Sequence, residues 1–98
     1  MYMILLYVLV LYVLMERVSM TKKEELMVIT MEECGELIQE CSKAIRMKDF
    51  DREELKEELS DVMCMLEIMI EYGIITRMEL SNGANVKKMK LLKWSKLL

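Results

Sequence analysis

Two apolar patterns divide the chain. Residues 1–15 are apolar at every position and carry no charge, so this segment offers no polar face. After Met20 the apolar residues recur every three or four positions among charged ones, which is the pattern of amphipathic helices. No stretch alternates with a period of two, proline is absent and glycine occurs three times, so strands and tight turns are not indicated. The pattern predicts an all-α fold.

Capping signals set the predicted helix boundaries. Thr21 with Glu24, and Asp51 with Glu54, have the spacing of capping boxes, in which the first side chain caps the helix and the glutamate reaches back. They predict two long antiparallel helices over residues 22–47 and 52–72, joined by the polar residues 48–51. Gly73 follows as a stop signal.

The C-terminal part is predicted to contain two shorter helical segments. Thr76 and Glu79 form a third capping box, which we expect to open one short helical turn. Residues 81–85 (SNGAN) have the composition of a loop, and a basic helix is predicted over residues 86–97.

The role of the apolar segment is open between three interpretations. As a helix its 15 residues cover about 22 Å of a hydrocarbon layer about 30 Å thick, so a short membrane anchor is disfavoured but stays open. The segment could instead be a helix that packs within an oligomer, or an upstream stretch, read from a start codon placed too early. The capping box directly after Met20 favours the last interpretation. We therefore divide the chain into an extension, residues 1–19, and a working domain, residues 20–98.

Composition narrows the chemistry. Histidine is absent, which excludes histidine-based catalysis and histidine-ligated metals. Cys34, Cys41 and Cys64 are odd in number and lie in helical patterns, so we expect reduced thiols serving as small core residues, in a cytoplasmic setting. The last 19 residues carry five lysines and no acid, on an otherwise acidic chain of net charge −3. Such a tail lacks the broad positive face that nucleic-acid binding requires, so no nucleic-acid partner is expected.

The two long helices direct acids toward their apolar faces. At 100° per residue, Glu33 lies within about 40° of the apolar position Leu26, and Glu36 lies about 80° away. On the second helix, Glu58 projects about 60° from Leu55, and Asp61 lies about 120° away at the edge of the apolar face. Antiparallel packing would bring the four carboxylates together.

Such a carboxylate cluster requires compensation. Burying one unpaired charge costs several kcal/mol, so the acids must be protonated or neutralised by a cation. Oxygen ligands favour hard divalent ions, which makes Mg²⁺ the natural candidate and Mn²⁺ a possible substitute. The competing interpretation is a solvated acidic face, since E-x-x-E and E-x-x-D spacings arise easily by chance in a chain with 17 acids.

The same acids carry a family resemblance. Residues 31–37 read MEECGEL and residues 57–62 read EELSDV, with 21 residues between Glu36 and Glu58. This arrangement resembles the E-E-x-x-E and E-x-x-D motifs of the MazG-like nucleoside triphosphate pyrophosphohydrolases, and Lys93-Trp94-Ser95 is similar to small phage-type members. The resemblance covers roughly residues 21–98.

The resemblance implies an all-α enzyme, usually a dimer or tetramer. It implies Mg²⁺-dependent cleavage of a nucleoside or deoxynucleoside triphosphate between the α- and β-phosphates, which yields the monophosphate and pyrophosphate. By residue match, Glu33, Glu36, Glu58 and Asp61 would be the catalytic metal ligands, with Glu32 as a supporting acid. Basic residues on a later helix would contact phosphate; Lys87 and Lys90 are the best placed. Trp94 would either stack on the base or serve in packing.

The sequence supports two functional hypotheses. The first is the pyrophosphohydrolase, with the base and sugar preference open. The second is a non-enzymatic helical interaction protein, for which membrane attachment through residues 1–15 is left open. Because the second long helix is apolar on nearly all sides around Met63, Met65, Ile68 and Met69, we also expect a homo-oligomer.

Overall fold

The structure, a computed structural model, describes the backbone of residues 2–17, 20–47 and 51–98, and the side chains of residues 3–12, 20–47 and 51–98. These residues form four helices and no strand: α1 (Tyr2–Arg17), α2 (Lys22–Arg46), α3 (Arg52–Glu71) and α4 (Arg77–Trp94). The predicted all-α fold is confirmed. Residues 48–50, which belong to the predicted polar connection, lie outside the described residues.

The predicted caps position the two long helices. The Thr21 hydroxyl accepts a hydrogen bond from the Glu24 amide at 3.1 Å, and the Glu24 carboxylate accepts one from the Thr21 amide, also at 3.1 Å. At the start of α3, Asp51 Oδ1 accepts from the Glu53 and Glu54 amides. The Glu54 carboxylate accepts a hydrogen bond from Lys43 Nζ at 2.9 Å, which ties the beginning of α3 to the end of α2.

Gly73 terminates α3 as predicted. Its φ of 71° lies in the left-handed region that glycine adopts without strain. The Gly73 amide donates to the Ile70 carbonyl and the Ile74 amide to the Met69 carbonyl, which is the Schellman pattern of a helix end.

The predicted loop at residues 81–85 and the separate helix at residues 86–97 are wrong. One continuous helix, α4, runs from Arg77 to Trp94 and begins at the Thr76–Glu79 capping box. Gly83 in a helix costs about 1 kcal/mol relative to alanine, and the side chains of residues 81–85 are all exposed, so the helix passes through them without burying a polar group. The cap at one end and continuous backbone hydrogen bonding outweigh the local preference for a turn.

The chain forms two compact units, Met1–Leu66 and Glu67–Leu98. In the first unit α1 packs against α2: a Cβ built on Gly35 would lie 3.9 Å from Tyr7 Cε1. Leu11, Leu26 and Met65 are the only buried apolar residues among those that the structure describes, and each keeps 4–7% of its surface exposed. In the second unit Arg77, at the start of α4, forms an ion pair with Glu67, at the end of α3.

The side of α1 away from α2 is exposed and apolar. Leu5 and Leu6 are each 63% exposed, and Leu9 is 56% exposed. None of the described helices is long and apolar enough to cross a membrane.

The prediction that the cysteines serve as core residues is wrong. Cys34, Cys41 and Cys64 are all free and exposed. Cys64 lies between two apolar residues, Met63 and Met65, but consecutive residues of a helix point about 100° apart and so do not share a face.

Candidate metal centre

The facing surfaces of α2 and α3 bring four acids together. Glu33 and Glu36 come from α2, and Glu58 and Asp61 from α3, each pair spaced three residues apart on one helix face. One carboxylate oxygen from each residue lies within 4.8 Å of the others. The structure thus assembles the four residues that the sequence singled out, although this proximity does not by itself assign them a role.

Burial sets this cluster apart from an ordinary acidic surface. Glu33, Glu36 and Glu58 are half-buried, and Asp61 is exposed. Glu33 Oε2 and Glu58 Oε2 are buried and have no hydrogen-bond partner among the described residues. Leaving a buried carboxylate oxygen without a partner costs about 1–3 kcal/mol or more of folding free energy. A positively charged or proton-bearing group bound to these two oxygens would therefore stabilise the protein.

The cluster raises the pKa values of its own members. Burial raises the pKa of Glu58 to about 7, and the hydrogen bond and charge of Glu36 add to the effect. Burial, followed by the charge of Asp61, raises the pKa of Glu33. Burial also raises the pKa of Glu36, against the lowering effect of its hydrogen bond from Glu58. The negative charge of the cluster is therefore compensated near neutral pH in one of two ways. Part of the cluster is protonated, or a cation binds in place of the protons.

These residues fit a hard divalent cation. The donors are all carboxylate oxygens, which Mg²⁺, Mn²⁺ and Ca²⁺ prefer over nitrogen or sulfur ligands. The two oxygens without partners, on Glu33 and Glu58, come from different helices, so a cation shared between them would neutralise charge on both. Because Mg²⁺ in proteins commonly uses one or two carboxylates, four acids are enough for more than one ion or for ligation through water.

Two neighbouring acids frame the cluster. Glu32 is half-buried, and its charge contributes to the raised pKa values of Glu33 and Glu36. Glu57 is exposed, as expected for a residue on the opposite side of α3 from the cluster. Glu32 thus acts on the cluster through its field, whereas Glu57 offers a matched control for Glu58.

A cleft extends from the cluster along the second half of α2. It has a volume of about 620 Å³. Three helices contribute its lining residues: Ile4 and Leu5 from α1, Glu36, Gln39, Glu40 and Lys43 from α2, and Glu58 from α3. Glu36 and Glu58 belong to both the cluster and the cleft, so the two features are continuous.

Glu40 and Lys43 are site residues that the sequence reasoning did not select. Glu40 is 7% exposed, and Lys43 Nζ lies 3.6 Å from Glu40 Oε2 and 2.9 Å from Glu54 Oε2. The signal for Glu40 was present, because it lies seven residues after Glu33 on the apolar side of α2. The pairing of Glu40 with Lys43, one turn later, explains how the buried carboxylate of Glu40 is compensated.

The three residues predicted to bind substrate, Lys87, Lys90 and Trp94, lie on α4, in the second unit. Lys87 Nζ lies 5.4 Å from the centre of the Trp94 ring, a cation–π distance. Trp94 is 69% exposed, and Lys90 is also exposed. Lys87 and Trp94 are thus brought together, and their role toward a substrate stays a prediction.

Comparison with known proteins identifies the family. The model of the MazG nucleotide pyrophosphohydrolase domain matches residues 21–90, which include both acidic motifs and most of α4. No match was found among curated proteins or solved structures. The matched segment covers more than two thirds of the chain and leaves α1 outside. The chain, with its carboxylate pairs on α2 and α3, is therefore a member of the MazG nucleotide pyrophosphohydrolase family, whose enzymes hydrolyse nucleoside triphosphates.

Proposed function

We propose that the chain hydrolyses a nucleoside or deoxynucleoside triphosphate between its α- and β-phosphates, and that the reaction depends on Mg²⁺. The products are the nucleoside monophosphate and pyrophosphate. The observation that carries the proposal is the convergence of four carboxylates in a chain of this family. Two of them have buried oxygens that find no hydrogen-bond partner among the residues described.

Glu33, Glu36, Glu58 and Asp61 are the proposed metal ligands. When bound, the metal supplies positive charge at the phosphate oxygens, which is the main requirement of phosphoryl-type displacement. Glu33 and Glu58 offer the buried free oxygens, and Asp61 lies at the solvent-exposed edge of the cluster. Glu32 supports the ligands by adding negative charge beside them.

Glu36 is the proposed acceptor of the proton from the attacking water. Its carboxylate lies close to those of Glu33 and Glu58, within the cluster. Burial raises its pKa above the ordinary value, which makes the carboxylate a stronger base. Its position next to two proposed ligands would keep the proton transfer within one cluster.

The substrate requires contacts beyond the acids. Lys87 and Lys90 are proposed to contact phosphate, and Trp94 to contact the base. Support comes from their basic and aromatic chemistry, from exposure, and from the 5.4 Å approach of Lys87 to Trp94.

A homo-oligomer, dimer or tetramer, is the proposed assembly. On α3, Leu59 is 50% exposed, Met63 59% and Leu66 37%. Leu55, Leu59 and Met63 follow one face of the helix at intervals of four residues. A chain of this size with few buried side chains gains stability when such a face is covered by another subunit.

The deciding experiment measures pyrophosphate release from each of the common ribo- and deoxyribonucleoside triphosphates, with Mg²⁺ and with a chelator. We expect at least one substrate to be hydrolysed only with the metal. A Glu33→Gln, Glu58→Gln double variant should abolish the release, whereas Glu57→Gln should retain it, because Glu57 is exposed and outside the cluster. Activity that survives in the double variant would contradict the proposal.

A further inference from the structure

We propose that the α1 residues Ile4 and Leu5 form the apolar wall of the site that binds the nucleoside part of the substrate. The inference rests on the proposed function and adds residues that lie outside the family-matched segment, residues 21–90. On this proposal, the apolar N-terminal helix is a working part of the enzyme.

The cleft adjoins the acid cluster. Glu36 and Glu58 line both the acid cluster and the cleft, so a ligand held by a metal at the cluster extends directly into the cleft. Cleavage between the α- and β-phosphates requires the bond between them to lie beside the acid cluster, whose residues would hold the metal. The group attached to the α-phosphate is the nucleoside, which the adjoining cleft can receive.

The size and polarity of the cleft are those of a small-molecule binding site. Its volume of about 620 Å³ lies within the range of small-molecule sites, about 300–1,000 Å³. Ile4 and Leu5 offer apolar surface for the faces of a base or sugar, and Gln39 offers an amide that can donate and accept hydrogen bonds. Apolar walls with a few convergent polar groups are typical of such sites.

Charge distinguishes the nucleoside from the pyrophosphate end of the substrate. Among the described residues, three acids (Glu36, Glu40 and Glu58) and one cation (Lys43) line the cleft. Lys43 already contacts Glu40 and Glu54, so little positive charge is left for further phosphate groups. The uncharged nucleoside therefore fits the cleft better than the β- and γ-phosphates do.

Packing of α1 on α2 holds the wall in place. Tyr7 lies beside Gly35 of α2, since an added Cβ there would be 3.9 Å from its ring, and Leu11 is 4% exposed. Both residues lie C-terminal to Ile4 and Leu5 on α1, so the helix is anchored within two turns of the cleft. Leu5 itself is 63% exposed, which leaves its side chain available for a ligand.

The test compares Leu5→Ser with Leu6→Ser in the full-length chain. Both leucines are 63% exposed, but only Leu5 lines the cleft, so a general effect of polarity on α1 would appear in both variants. We expect Leu5→Ser to raise the KM for the preferred nucleoside triphosphate about three- to tenfold with little change in kcat, since binding is lost without a change at the reacting atoms. Leu6→Ser should match the parent protein.

A second readout does not depend on catalysis. The methyl resonances of Ile4 and Leu5 are followed by NMR during titration with AMP, CMP, GMP and UMP in the presence of Mg²⁺. We expect saturable shifts with at least one monophosphate, and smaller shifts at Leu6. Absence of shifts with all four, together with equal KM values for the two variants, would overturn the proposal.

The two readouts separate this proposal from the proposed function. Saturable methyl shifts without Mg²⁺-dependent hydrolysis of any triphosphate would retain the nucleoside site and reject the enzymatic proposal. Hydrolysis without methyl shifts, and with equal effects of the two serine variants, would retain the enzyme and reject the role of α1.

Discussion

The α1 surface and the α2–α3 interface are opposites. On α1, leucines at positions 5, 6 and 9 are more than half exposed, although the helix has no charged residue before its last two positions. Between α2 and α3, Glu33, Glu36 and Glu58 are half-buried, and two of their oxygens are buried with no hydrogen-bond partner in the part of the chain that the structure describes. One region exposes apolar surface to water, and the other removes carboxylates from it.

The energetic consequences of these two departures differ. An exposed leucine forgoes the stabilisation of about 1.5–3 kcal/mol that full burial provides, but it leaves no unpaired charge behind. A buried charge without a partner costs several kcal/mol. The acid interface is therefore the stronger sign of function, because a fold tolerates it only for a compensating gain such as cation binding.

The largest effect is expected from replacing Glu58 in the acid interface between α2 and α3. Glu58→Gln removes a proposed ligand, so we expect kcat/KM for pyrophosphate release to fall at least about 100-fold. The metal-free variant should at the same time be more stable than the parent at pH 8, because one destabilising charge is gone. Pyrophosphate release and thermal unfolding of the same samples measure the two effects, with Glu57→Gln as the matched control. Loss of both activity and stability would indicate a merely structural role for Glu58.

The next effect concerns the pH dependence of the metal-free protein. The Glu58 pKa rises from 4.5 to about 7 on folding, so the folded state binds more protons than the unfolded state between these values. The resulting stability is fully present below pH 4.5 and is lost as pH rises through 7. For a half-buried group screened by water, we expect a loss of about 1–2 kcal/mol in the free energy of unfolding.

Thermal unfolding between pH 5 and 8 in a chelator tests this dependence. The melting temperature should fall by several degrees across the range and recover when Mg²⁺ is added at pH 8, because the ion binds only the folded cluster. Glu24 and Glu67, whose pKa values are lowered, titrate below this range and do not mask the effect. A melting temperature that rises with pH in the chelator would contradict the expectation.

The smallest effect tests the junction of the two regions at Gly35. An added Cβ would lie 3.9 Å from Tyr7 Cε1, an ordinary van der Waals contact. Gly35→Ala should therefore stabilise the protein by about 0.5–1 kcal/mol through its helix propensity. Chemical denaturation measures the change. A clear destabilisation would show that α1 packs on α2 more closely than the structure has it, which would strengthen the case for α1 as part of the site.

The acid cluster and most helix boundaries could be predicted from local rules. The spacing of Glu33 and Glu36, and of Glu58 and Asp61, fixes which face of each helix they share. The boxes at Thr21 and Thr76 and the stop at Gly73 depend only on neighbouring residues, so sequence is sufficient for them.

Features that depend on packing were not predictable in the same way. The segment of residues 1–15 is apolar on every side, so its sequence does not indicate which side faces α2. The contact of Lys43 with Glu54, and hence the electrostatic environment of Glu40, joins two helices and requires their register to be known. The continuous helix through residues 81–85 depended on the sum of many backbone hydrogen bonds, which a local turn signal does not represent.

The exposed thiols provide attachment points for distance measurement. Cys34 follows Glu33 on α2, and Cys64 lies three residues after Asp61 on α3. Spin labels at these two positions, with Cys41 replaced by serine, would report the separation of the two acid-bearing helices by pulsed electron paramagnetic resonance. Titrating a divalent ion into the doubly labelled protein would then show whether the distance between the labels decreases. A decrease is expected because neutralised helices can approach more closely than charged ones.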